Sequence, residues 1–138
     1  MIPALPNAMT PEELRRRLII FAADAGNFAK PFFRRRETED AASQLTRAAS
    51  GAMANHRAAG RARSHKEFTA VLGKAVEEID EAQAWLEYFE GWGAVDDDNR
   101  AEHERLTREV AELTAILTAS FHTARRREEA NRTLKPRK

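Results

Sequence analysis

Between Phe68 and Phe89 the apolar side chains Phe68, Leu72, Ala75, Ile79, Ala82, Leu86 and Phe89 recur at alternating steps of four and three. That spacing lays all seven along one seam of an α-helix, and the two-residue period of a strand does not fit it. Directly before the seam, Ser64-His65-Lys66-Glu67 has the S-x-x-E order of a capping box, in which Ser64 accepts from the amide of Glu67 while Glu67 reaches back. The pattern predicts a helix from Ser64 to about Glu90, roughly 40 Å long, packed in an antiparallel bundle.

Three further helices are legible by the same rule. Thr10-Pro11-Glu12-Glu13 supplies a cap, a proline whose missing N–H does no harm, and acids at the positive end of the helix dipole. The seam that follows, Leu14, Leu18, Phe21, Ala25, Phe28 and Phe32, stops near Lys30 because Pro31 disfavours helix in the residue before it. A second helix is predicted from about Glu37 to Gly60, with Ala42, Leu45, Ala49, Ala52, His56 and Ala59 facing inward. Such small residues fill a core only if the neighbouring helices approach closely, so this helix is expected at the centre of the bundle. After Gly91-Trp92-Gly93, the run Asp96-Asp97-Asp98-Asn99 offers caps for a fourth helix, whose seam is Leu106, Val110, Leu113, Leu117 and Ser120 or Phe121, ending near Arg127. With 138 residues, only six Gly and five Pro, the chain is predicted to be all-α, a single up-down-up-down antiparallel four-helix bundle over residues 10–127. Residues 1–9 are expected to be an N-terminal extension and 128–138 a basic, flexible tail.

Several classes of chemistry find no support. There is no cysteine, which rules out disulfides and thiolate metal sites. The opening MIPALPNAM lacks the pattern of a signal peptide, and the apolar run from Leu18 to Ala23 is too short to cross a bilayer, so a cytoplasmic protein is expected. A di-iron bundle needs Glu-x-x-His, but the residues three before His56, His65, His103 and His122 are Met53, Ala62, Arg100 and Ala119. His103-Glu104 does not continue to H-E-x-x-H, since Thr107 takes the last position. With no glycine-rich phosphate loop and no nucleophile elbow either, the expectation is no cofactor, no metal and no enzyme.

Charge is informative by its distribution. The chain holds 23 basic and 22 acidic residues, but Arg125 to Lys138 contains seven basic and two acidic ones, leaving the body slightly acidic. A basic cluster, Arg57, Arg61, Arg63, His65 and Lys66, surrounds the joint between the second and third helices. Arg57, Arg61, Arg63 and Lys66 are candidate phosphate contacts. A competing reading pairs helix-two arginines with Glu77, Glu78, Asp80 and Glu81 on helix three. At the first connection, Phe32-Phe33-Arg34-Arg35-Arg36 either presents rings and charges to nucleic acid or plugs the bundle end with its phenylalanines while the arginines face water. Beside its main seam, helix three carries a second apolar set, Val71, Val76, Trp85, Tyr88 and Trp92. Two stripes exceed what a monomer buries, so a homo-oligomer is expected, with Val71, Trp85, Tyr88 and Trp92 at its interface. The alternative is that Trp85 and Trp92 cap the bundle end. His56 reads as a hydrogen-bonded histidine in or beside the core, or as a pH-sensitive contact between subunits.

The residues around the joint carry a family resemblance. Ala54-Asn55-His56-Arg57-Ala58-Ala59, Arg61-Ala62-Arg63-Ser64, Glu67-Phe68, Leu72-Gly73, Glu77-Glu78, Asp80-Glu81 and Trp85-Leu86-Glu87 resemble the motif of the four-helix bundle proteins. This family is also called the 23S rRNA-intervening-sequence proteins and includes accessory proteins of diversity-generating retroelements. The resemblance implies ring-shaped homo-oligomers, pentamers in well-studied members, associated with nucleic acid and without known catalysis. Two departures stand out: many members have an aromatic or aliphatic residue in place of His56, and Gly60 replaces a longer side chain. The expected function is therefore non-catalytic association with nucleic acid, RNA ahead of DNA. An adaptor ring that presents its acidic helix faces to a protein such as a polymerase is the alternative.

Overall fold

The computed structural model describes residues 9–134 and contains four α-helices: α1 (Pro11–Ala29), α2 (Glu39–Ala59), α3 (His65–Trp92) and α4 (Arg100–Leu134). A 3-10 turn, Lys30–Arg34, follows α1. Short connections force sequence neighbours to run antiparallel. The helices pack as α1 on α2, α2 on α3 and α3 on α4, with α4 returning to α1 to close the bundle. Residues 1–8 and 135–138, which hold most of the expected N-terminal extension and the end of the expected tail, lie outside the described residues.

The caps form where the sequence places them, with one change of partner. Thr10 and Glu13 make a reciprocal capping box, each backbone amide donating to the other's side chain at 3.1 Å. At α3, Ser64 Oγ accepts from the amide of Glu67 at 3.1 Å, but the Glu67 carboxylate reaches the amide of Arg63 at 3.3 Å rather than that of Ser64. Gly93 ends α3 with φ of 89°, where a side chain would be strained. Its amide donates to Glu90 O and that of Ala94 to Phe89 O, both at 3.0 Å, so the last turn's carbonyls are satisfied. Asp96 Oδ1 accepts from the amides of Asp98 and Asn99, shaping the entry to α4.

The predicted seams are the core. Leu14, Leu18, Phe21, Ala25, Phe28 and Phe32 are buried, as are Leu72, Ala75, Ile79, Ala82, Leu86 and Phe89, with Phe68 half-buried beside them. In α2 the buried set is almost wholly alanine, and its densest packing is against α3. Gly51 is the extreme case: the Glu78 carboxylate lies where a Cβ would stand, and Asn55 Nδ2 donates to Glu78 Oε1 at 2.7 Å. Burial and the nearby Glu81 raise the Glu78 pKa above the usual carboxylate value. Across the other seam, Arg17 on α1 donates to Glu109 and Glu112 on α4, and its pKa is raised chiefly by the bond to Glu109.

One end of the bundle is closed by rings. Phe28, Phe32 and Phe89 pack tilted or edge to face with centroids 4.8 to 5.5 Å apart, and His103 joins Phe28 at 5.8 Å while its Nε2 donates to Leu86 O. Thr38, buried, donates its hydroxyl to Phe32 O at 2.9 Å and thereby fixes the 3-10 turn. Of the Phe32-Phe33 pair only Phe32 plugs the end; Phe33 and Arg34, Arg35 and Arg36 are exposed.

Three expectations need correction. Residues 128–134 are not a flexible tail: α4 runs on to Leu134, supported by an Arg132–Glu128 pair one turn apart. Trp85 and Trp92 do not cap the bundle, because the phenylalanine cluster already fills that place. Tyr88 and Trp92 instead lie on the outer face of α3, 44% and 52% exposed, with Trp85 half-buried beside them. Tyr88 stacks on Trp92 and meets the edge of Trp85. Val71 and Val76 pack half-buried against the core and do not extend this exposed strip.

Candidate nucleic-acid interface

At the opposite end, α2 stops at Ala59 and the chain turns through residues 60–64 into α3. Arg57 sits in the last turn of α2, and Arg61 and Arg63 lie in the turn that follows it. Together they line a cavity of about 500 Å³ whose far wall comes from α1, through Arg15 and Ile19, and whose floor includes Met53. Glu67 is its acidic member, and that carboxylate is already engaged by the Arg63 amide. Among the described residues, none of Arg15, Arg57, Arg61 and Arg63 forms an ion pair. The pairing of Arg57 with helix-three acids is therefore not made: Glu78 is bonded to Asn55, and Glu81 accepts from Trp85 Nε1.

Lys66 does not join this group. The first turn of α3 carries it round toward α4, where it lines a second cleft with Lys74, Phe121, Arg125 and Arg132, interrupted by Glu77 and Glu128. Arg125 lies over the Phe121 ring at 5.8 Å. His65 sits between the two clefts, its Nε2 donating to Ala124 O at 2.8 Å and tying the start of α3 to α4. The cluster read as one in sequence is thus two basic clefts on either side of the joint.

Arg15 is the residue that sequence reasoning missed. Its Nε is buried without a partner, and it lies close enough to His56 to influence that ring. His56 is half-buried beside the core, and its Nδ1 has no hydrogen-bond partner, so the expected bonded histidine is not what forms. Burial, and then the positive charge of Arg15, lower its pKa below 6.5. A neutral ring under an arginine-lined cavity adds no charge of its own, and the field there comes from the guanidinium groups. Among the described residues, no group of three or more His, Asp or Glu is placed to hold a metal ion, and no helix is long and apolar enough to cross a membrane.

Among solved structures, the bundle is similar to a protein of unknown function from the S23 ribosomal protein family of Bacteroides thetaiotaomicron, with a TM-score of 0.72. The two are 21% identical, and the match covers 83% of this chain and 99% of the other. No protein-family model and no curated protein sequence matches the chain. The likeness is one of fold.

Proposed function

We propose that this chain is a non-catalytic, homo-oligomeric member of the 23S rRNA-intervening-sequence proteins that associates with nucleic acid in the cytoplasm, RNA in preference to DNA. The observation that carries the reading is the convergence of Arg57, Arg61 and Arg63 on one cavity with, among the described residues, no acidic side chain paired to any of them. Unpaired guanidinium groups held together repel one another, and a polyanion relieves that repulsion while releasing its counterions. Lys66 with Arg125 and Arg132 supplies a second contact across the joint. Assembly into a ring, pentameric as in the resembled family, multiplies a modest basic site, so the near-neutral chain still binds.

Affinity for a structured RNA, followed by fluorescence anisotropy, is expected to fall steeply with salt, and Arg61→Glu with Arg63→Glu is expected to abolish most of it. Binding that is indifferent to both removes the joint from the site. The strip of exposed Tyr88 and Trp92 with half-buried Trp85 supports the oligomer and equally a second reading, an adaptor that presents this face to a protein such as a polymerase. Light scattering distinguishes them: a monomer at micromolar concentration contradicts the self-association, and a nuclease-insensitive stoichiometric partner favours the adaptor.

A further inference from the structure

The cavity between α1 and the joint has the wrong shape for the side of a duplex. It is a concavity of about 500 Å³, the size of a small-ligand pocket, lined by Arg15 and Ile19 of α1 and by Met53 and Arg57 of α2. Arg61 and Arg63 of the turn complete its lining. A concavity of this size takes a phosphate and about one nucleotide rather than a run of backbone, which suits the end of a strand. The charges point the same way. Four arginines against one occupied carboxylate match a phosphomonoester, which carries about −1.5 to −2 at neutral pH, better than a diester, which carries one charge. The wall is also mixed in character: Ile19, 44% exposed, and Met53 offer an apolar surface to a flat ring.

We propose that this cavity, formed by Arg15, Arg57, Arg61 and Arg63 with Ile19 and Met53, holds the terminal phosphomonoester of a nucleic-acid strand together with its end nucleotide. The proposal rests on the nucleic-acid reading above and narrows it from backbone attraction to recognition of an end. Arg15 brings its guanidinium group to the cavity from α1, its Nε buried and without an acceptor, and Arg57, Arg61 and Arg63 bring theirs from the end of α2 and the joint.

The test uses the full chain and one single-stranded RNA sequence prepared with a 5′-phosphate, with a 3′-phosphate, or with hydroxyls at both ends, and the matching nucleoside monophosphate alone. One phosphate-ended strand is expected to bind about tenfold or more tighter than the hydroxyl-ended strand, the worth of a charge-assisted hydrogen bond, and the two phosphate arms report which end is held. Arg15→Gln is expected to weaken the phosphate-ended strand more than the hydroxyl-ended strand, so that the difference between them is lost. Because Arg15 is half-buried, the exposed Arg61→Gln is measured beside it, and thermal melts establish that both fold. Equal affinity for all three strands with the salt dependence intact overturns this proposal and leaves the RNA reading standing. Binding of the nucleoside monophosphate without binding of any strand overturns both the strand-end proposal and the RNA reading, and leaves a mononucleotide site. No binding in any arm sinks both.

Discussion

The two ends of this bundle are built from the same helices and solve the same problem in opposite ways. Where α1, α2, α3 and α4 meet near Phe89, three phenylalanines and His103 fill the space between the helices, and His103 Nε2 and Thr38 Oγ1 each find a carbonyl. Around the α2–α3 joint the inward residues include the small Ala52, Ala59 and Ala124, Phe68 and Phe121 are only half-buried, a half-buried histidine has an unpartnered nitrogen, and clefts open on both sides of the turn. The first end removes apolar surface from water and satisfies its polar atoms. The second gives up packing there and gathers like charges instead, an arrangement that costs stability and is expected where a ligand offsets it.

The sharpest break of that comparison is Phe89→Ala. It leaves a cavity in the ring cluster, and urea unfolding is expected to show a loss of about 3–5 kcal/mol. Phe33→Ala, on the exposed ring next to Phe32, is expected to change stability by no more than about 0.5 kcal/mol. Next comes charge reversal at each end. Arg61→Glu with Arg63→Glu is expected to weaken RNA binding by about tenfold or more and to lower the salt slope by about two. Arg34→Glu with Arg35→Glu, on the exposed basic run of the sealed end, is expected to do much less. Equal losses would move the site away from the joint.

A smaller effect comes from His56. Its folded-state pKa is depressed, so as pH falls below about 6.5 the unfolded chain takes up the proton first and stability declines; above that value the neutral ring contributes in full. Melting temperature measured from about pH 7.5 down to 5.5 should therefore drop more in the native protein than in His56→Leu. Glu78, raised above 4.5, acts with the opposite sign: its contribution is full at low pH and is lost as pH rises through its folded value, so the variant rather than a flat line is the reference. Smallest is Gly51→Ala. The new methyl group displaces the flexible end of Glu78, and the lost Asn55 bond, about 1 kcal/mol, nearly cancels the gain in helix propensity of about the same size. Its clearer readout is the Glu78 carboxyl, which should titrate closer to 4.5 once it is pushed into water.

The fold was legible because burial imposes a period. Each seam from Leu14 to Leu117 repeats at helical spacing, and Thr10, Ser64 and Gly93 mark ends through their own chemistry. What carries no such period was read less well. Residues 128–134 are polar and mostly exposed, so nothing in their pattern separates a solvated helix from a tail. Arg57, Arg61 and Arg63 could be found because they are close in sequence, whereas Arg15 reaches the same cavity from another helix and leaves no local signature. Lys66 shows the converse: three residues from Arg63, it is turned to the other cleft as soon as α3 begins. Adjacency in sequence predicts adjacency in space only until a helix starts to rotate it.

That unexpected last stretch of α4 gives the molecule a gauge. His65 grips α4 at Ala124, and beyond it the helix has few neighbours besides the residues that begin α3. Its backbone amides from Arg125 to Leu134 should exchange with solvent deuterium faster toward the terminus, since each successive turn opens without disturbing the core. An anion bridging Lys66 to Arg132 would slow that exchange without touching the amides of Phe89 or His103. Amide exchange along this one helix thus separates occupancy of the joint from the stability of the bundle.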